Sequence, residues 1–160
     1  MEKIKFINVT NHTLTDEQKK DALSFLGEVE FIELEPELKK LWGSIPPEET
    51  IEGVARYLAP LLNFLARTVK LGTYVHVAGD FTAVSLAAAV VEQANGSAIN
   101  ATSKRDVVEG LLLDGSVSKR SIFKHVTFRD ILGNQNYLDI ADEVDEIWEG
   151  TKWSKDKLDN

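Results

Sequence analysis

The chain has 160 residues, 43% hydrophobic and 28% charged, enough for one soluble domain with its own core. It carries a net charge of −8, which argues against broad, sequence-independent binding to duplex DNA or long RNA, because that binding rests on many phosphate contacts. It has no cysteine, so a disulfide framework and a thiolate zinc site are excluded, and its three histidines at 12, 76 and 125 are too scattered in sequence to form a zinc motif.

Lys3 to Val9 reads as a first strand, with Ile4, Phe6, Ile7 and Val9 apolar. It runs straight from the N-terminus without a secretion signal, and no apolar run reaches membrane-spanning length, so a cytoplasmic protein is the expectation. Thr15, with Gln18 three residues on, has the pattern of a capping box, and Ala22, Leu23, Phe25 and Leu26 give the following helix its apolar side up to Gly27. Val29 to Leu34 is a second strand. Pro36 opens a short helical or turn segment, and Pro46-Pro47 breaks the chain. From Glu48 to Val69, apolar residues recur at three- and four-residue steps, as in a helix that Pro60 must kink or split.

Tyr74 to Ala78 reads as a buried central strand, closed by Gly79-Asp80. Phe81 to Gln93 is an alanine-rich helix, and Ser97 to Thr102 a short fourth strand. The alternation β-α-β-α-β-α-β favours a parallel sheet flanked by helices. Val107 to Leu113 and Val117 to Phe128, joined at Asp114-Gly115, predict a hairpin. Tyr137 to Glu149 predicts an acidic amphipathic helix stopped by Gly150. The expected organisation is one α/β domain over residues 1–132 with a helical appendage over 133–160.

In such a sheet, ligands bind beyond the carboxyl ends of the strands, near the point where strand order reverses. Three strand exits stand out: Thr10-Asn11-His12, Gly79-Asp80-Phe81-Thr82 and Thr102-Ser103-Lys104-Arg105. Together they offer hydroxyls, an amide, an imidazole, a guanidinium, a glycine that lets backbone approach a ligand, and a helix start near Phe81 with free N–H groups. This inventory suits a phosphodiester. Each element also has a plain structural reading. Thr10-Asn11-His12 is equally a turn, Gly79-Asp80 a strand stop and helix cap, and Ser103-Lys104-Arg105 a solvated turn in the basic cluster formed with Lys119-Arg120, Lys124 and Arg129. There is no GxGxxG and no Walker lysine motif. His76, inside an apolar strand, reads as a core histidine. His125 is read on one strand face with Phe123 and Arg129, as a ligand contact or as neither. The acidic helix reads as a solvated face, with Trp148 and Trp153 available for a subunit contact.

The segments NHTLTDEQ, LWGSIPP, VHVAGDFTA, INATSKRDVVE and SIFKHVTFRD, in that order over about residues 4 to 130, together resemble a family of small proteins encoded beside type III CRISPR systems. These are similar to stand-alone relatives of the CRISPR-associated Rossmann fold (CARF), and some are ring nucleases. The resemblance implies a Rossmann-like domain in a homodimer, with cyclic oligoadenylate, in particular cyclic tetra-adenylate, bound across the two-fold axis. It also implies metal- and cofactor-independent attack of a ribose 2′-hydroxyl on the adjacent phosphorus, with a 2′,3′-cyclic phosphate end as product. Under it, Arg105 stabilises charge on phosphate and His12 acts as acid or base, while Thr10, Asn11, Gly79, Asp80, Phe81, Thr82, Thr102, Ser103 and Lys104 contact the ligand. A sink or sensor that holds the ring without cutting it would need the same pocket. A third reading is an interaction module docking through its acidic helix.

Overall fold

A computed structural model describes residues 2–131; the expected appendage, its acidic helix, Trp148 and Trp153 lie outside them. The elements are β1 (Ile4–Val9), α1 (Asp16–Leu26), β2 (Val29–Glu33), α2 (Pro36–Gly43), α3 (Ile51–Tyr57), α4 (Ala59–Thr68), β3 (Tyr74–Val77), α5 (Phe81–Gln93), β4 (Ser97–Leu111) and β5 (Val117–Asp130). They form one five-stranded sheet in the order β2-β1-β3-β4-β5. The β1–β2, β1–β3 and β3–β4 pairs are parallel, and β5 is antiparallel to β4. The fold is therefore α/β, mainly parallel and closed by an antiparallel hairpin, as the element order predicts. No helix among the described residues is long and apolar enough to cross a membrane.

Local chemistry explains the boundaries. Thr15 accepts from Gln18 N–H while the Gln18 side chain accepts from Thr15 N–H, completing the predicted capping box of α1. Pro60 splits the Glu48–Val69 segment: α3 and α4 are separate helices meeting at Leu58, with the proline in the first turn of α4, where its missing N–H costs nothing. Thr50 and Asp80 cap α3 and α5 through side-chain bonds to Gly53 N–H and Ala83 N–H.

Strand alternation divides the core between two faces. Ile7, Val9, Val75, Val77 and Ala98 pack against helices α2 to α5, with Leu58, Leu61 and Leu65 fully buried. Each such leucine contributes about 1.5–3 kcal/mol by leaving water. Phe6 and Ile99 on the other face pack with Leu14 and Ala22, and Leu14 leads into α1.

Two expectations are corrected here. The fourth strand does not end at Thr102. β4 continues to Leu111, so Thr102-Ser103-Lys104-Arg105 is strand rather than exit loop, paired to β5 throughout. Past Ile99 the pair leaves β3 behind and becomes a two-stranded ribbon whose residues are mostly exposed, and the polar sequence there reflects that solvation. The hairpin is closed by Leu113-Asp114-Gly115 rather than by two residues: Leu112 N–H donates to the Ser116 carbonyl, and Gly115 takes the left-handed φ of +86°.

Candidate functional site

Strand order reverses between β1 and β3, since β2 lies on one side of β1 and β3 and β4 on the other. At their carboxyl ends is an open cleft of about 470 Å³. Thr10 and His12 at the exit of β1, the first turn of α1, His76 of β3, Ala101, Thr102 and Ser103 of β4, and Phe123 and His125 of β5 line it. All three histidines of the chain meet there.

The β1 exit is both a turn and a wall of the cleft. Thr10 Oγ donates to the His12 carbonyl at 2.6 Å and accepts from His12 N–H at 3.2 Å, which fixes the backbone carrying the exposed His12 ring. Asn8, fully buried, donates through Nδ2 to the His12 carbonyl at 2.7 Å and to Glu33 Oε2 at 2.9 Å. Glu33 Oε1 accepts from Leu14 N–H at 3.2 Å. A polar network, anchored on the buried Asn8 and Thr10 and reaching the exposed Glu33, thus ties β1, β2 and the loop together.

Those bonds decide the state of His76. Both Asn8 amide hydrogens are used, so Asn8 Oδ1 faces His76 Nδ1, 3.0 Å away. An amide oxygen only accepts, so the contact with His76 is a hydrogen bond with the proton on Nδ1 and a lone pair on Nε2; Thr10 Oγ also lies 3.1 Å from the same oxygen. Burial, reinforced by the neighbouring His125 and opposed by Glu33, lowers the His76 pKa to about 4, which keeps the ring neutral.

His125 donates through Nε2 to Asp21 Oδ2 of α1 at 2.7 Å. Its ring packs on Phe128 at 4.8 Å, and His76 meets the same phenyl edge-on at 5.4 Å. The register explains this. Thr102 opposes Thr127, but Ser103 opposes His125, so a bulge at Val126 shifts the alternation. His125 therefore shares a face with Phe123 and Phe128. The expected parity with Arg129 is broken, and Arg129 lines a different cleft.

The other candidate residues separate. Arg105 opposes Phe123 and so stands on the cleft face of the ribbon, beyond Ser103, with Nε donating to Ser121 Oγ at 3.0 Å. Lys104 opposes Lys124 and lies on the reverse face. Asn11 is not in the cleft wall; its Oδ1 sits where a Cβ on Gly43 would come within 3.0 Å. Thr102 touches both clefts, and its hydroxyl is engaged with the Thr127 backbone. Gly79, Phe81 and Arg129 border the second cleft, about 320 Å³, with Phe81 92% exposed. Asp80 is occupied as the α5 cap, and Thr82 follows in the first turn of that helix. Gly79 is explained without a ligand: at its φ of +152° an added Cβ would meet Trp42 Nε1 at 2.9 Å. Among the described residues, no group of three or more His, Cys, Asp and Glu is arranged to hold a metal ion.

His76 and His125 were the less promising histidines by sequence. His76 sits in an apolar run, and His125 needs the bulge to be placed. The only sequence signal for either was a titratable ring inside a strand that otherwise favours apolar or β-branched residues.

The chain is 35% identical over 125 residues to uncharacterized protein MJ1673 of Methanocaldococcus jannaschii, an alignment that covers 78% of this chain and 95% of that protein. No solved structure matches. The family model described as the uncharacterized protein MJ1673 family matches residues 4–129, from β1 through β5 and including all three cleft histidines. The chain belongs to the uncharacterized protein MJ1673 family.

Proposed function

We propose that this protein is a metal-independent ring nuclease that binds cyclic oligoadenylate, in particular cyclic tetra-adenylate, and cleaves it as a homodimer in the cytoplasm of a prokaryotic cell, ending a type III CRISPR antiviral signal. The observation that carries the chemistry is the meeting of His12, His76 and His125 in one cleft at the reversal of strand order. The resemblance of the five sequence segments narrows the ligand. A small cyclic RNA needs only a local cluster of cations, which fits a chain of net charge −8 whose ribbon carries Arg105 on the cleft face.

In the reaction, a ribose 2′-oxygen bonds to the adjacent phosphorus as the phosphorus–O5′ bond breaks. A base takes the hydroxyl proton, and an acid protonates the leaving 5′-oxygen. The products are a 2′,3′-cyclic phosphate and a 5′-hydroxyl. His12, on a pinned turn and open to the cleft, is assigned the proton transfer, a role that contributes about 10²–10⁴-fold. Arg105 is assigned the phosphorane charge, which a guanidinium meets with a fork of donors that stays protonated. Two copies would present the same wall twice to a repeated ring.

A second reading, a sink or sensor that holds the ring without turnover, would use the same cleft. The deciding experiment incubates the protein with a molar excess of radiolabelled cyclic tetra-adenylate in EDTA and resolves the products over time. Conversion of more than one equivalent to linear di-adenylate supports the nuclease. Retained, intact ligand supports the sink. No binding overturns both.

A further inference from the structure

His76 and His125 are each anchored through one ring nitrogen, Nδ1 on Asn8 and Nε2 on Asp21. Each leaves its other nitrogen buried and without a protein hydrogen-bond partner among the described residues. Buried polar atoms are almost always hydrogen-bonded, so two orphans on rings that share one phenyl neighbour and line one cleft point to a ligand group.

The chemistry of the two nitrogens limits that group. His76 Nε2 is a lone pair, because Asn8 Oδ1 holds the proton on Nδ1, and burial keeps the ring neutral. A phosphate oxygen, which only accepts, would repel it. An exocyclic amino group can donate to it but cannot accept from a protonated His125. A hydroxyl donates its one proton to His76 Nε2 and, through its oxygen, accepts from His125 Nδ1 when that ring carries both protons beside the Asp21 carboxylate.

We infer that His76 Nε2 accepts a hydrogen bond from a ribose 2′-hydroxyl of the bound ligand, with His125 Nδ1 as that hydroxyl's second neighbour. The pair then selects ribonucleotide over deoxyribonucleotide, since the 2′-hydroxyl is what distinguishes the two. The inference rests on the nucleotide reading above and names the ligand group that this part of the cleft recognises.

Two substitutions separate each open nitrogen from its anchor. His76→Asn keeps an amide donor for Asn8 and removes Nε2. His125→Gln keeps an amide donor for Asp21 and removes Nδ1. The measurement is equilibrium binding of cyclic tetra-adenylate and of its all-2′-deoxy counterpart to wild type and both variants. Wild type should prefer the ribo ring by on the order of 10- to 100-fold, the range for one buried hydrogen bond left unmade. H76N should reduce that preference to within about 3-fold, mainly by weakening the ribo complex. Equal binding of both rings by wild type, or full discrimination by H76N, overturns the inference while leaving the nucleotide reading intact. Failure of both rings to bind wild type overturns the reading itself and the inference with it. Should H76N fail to fold, ¹⁵N spectra of wild-type imidazoles decide: His76 protonated on Nδ1 with a bare Nε2 that shifts on adding the ribo ring, but not the deoxy ring, is the expected result. A proton on Nε2, or no shift, overturns it.

Discussion

His125 Nε2 lies 2.7 Å from Asp21 Oδ2, joining the β4–β5 ribbon to α1 across 104 positions of the chain. The His125 side chain is nearly buried and Asp21 is partly so, which places this contact above the ordinary surface ion pair. Asp21→Ala leaves the His125 N–H without its acceptor and should lower unfolding free energy by about 1–3 kcal/mol in urea titrations. Asp21→Asn, which keeps an acceptor oxygen, should cost less than Asp21→Ala. Equal losses would mean that the bond does not hold the ring.

The neutral His76 gives stability a pH dependence whose sign follows from its lowered pKa. The unfolded chain binds the proton near pH 6.5, whereas the folded chain does so only near pH 4. Between those values the unfolded state holds more protons, so stability is full above about pH 6.5 and declines as pH falls towards 4. The slope integrates to roughly 3 kcal/mol at most. The check is a difference: thermal melting of wild type against His76→Asn from pH 7.5 to 4. The variant should lose less stability over that range.

Turnover should sort the two clefts. On the proposed chemistry, His12→Ala lowers kcat by about 10²-fold or more and leaves affinity for cyclic tetra-adenylate within a few-fold. Arg105→Ala lowers both. Asp80→Ala removes the α5 cap, costs about 1 kcal/mol of stability and leaves turnover unchanged. Single-turnover kinetics together with melting curves check all three, and a kcat loss at Asp80 equal to that at His12 would move the chemistry to the second cleft.

Gly79 makes a separate structural prediction. Its φ of +152° and the Trp42 indole beside it leave no room for a side chain, while Trp42 Nε1 donates to the Ala78 carbonyl at 2.9 Å. Gly79→Ala should cost about 1–3 kcal/mol and perturb tryptophan fluorescence. An unperturbed spectrum at wild-type stability would contradict this packing.

Whatever depended on neighbours within a few residues was legible. The Thr15–Gln18 capping box, the split at Pro60, the glycine stop after α1 and the alternation of strands and helices follow from backbone chemistry that acts locally, and each is present. The polar run Thr102 to Arg105 misled because a solvated two-stranded ribbon has no buried face, and hence none of the apolar alternation by which a strand declares itself. The bulge at Val126 left no local mark either, yet it turns His125 towards Phe128 and sends Arg129 to the opposite cleft.

The sequence alone therefore determined an α/β domain, the alternation of its strands and helices up to β4, and the exit of β1 as a polar turn. Tertiary structure decided which residues share that site. Strand order placed β3 beside β1, and the ribbon carried His125 back over α1, so three histidines far apart in the chain share one cleft. Which side chains meet across a sheet depends on strand order and register, and these are set by long-range pairing rather than by near neighbours.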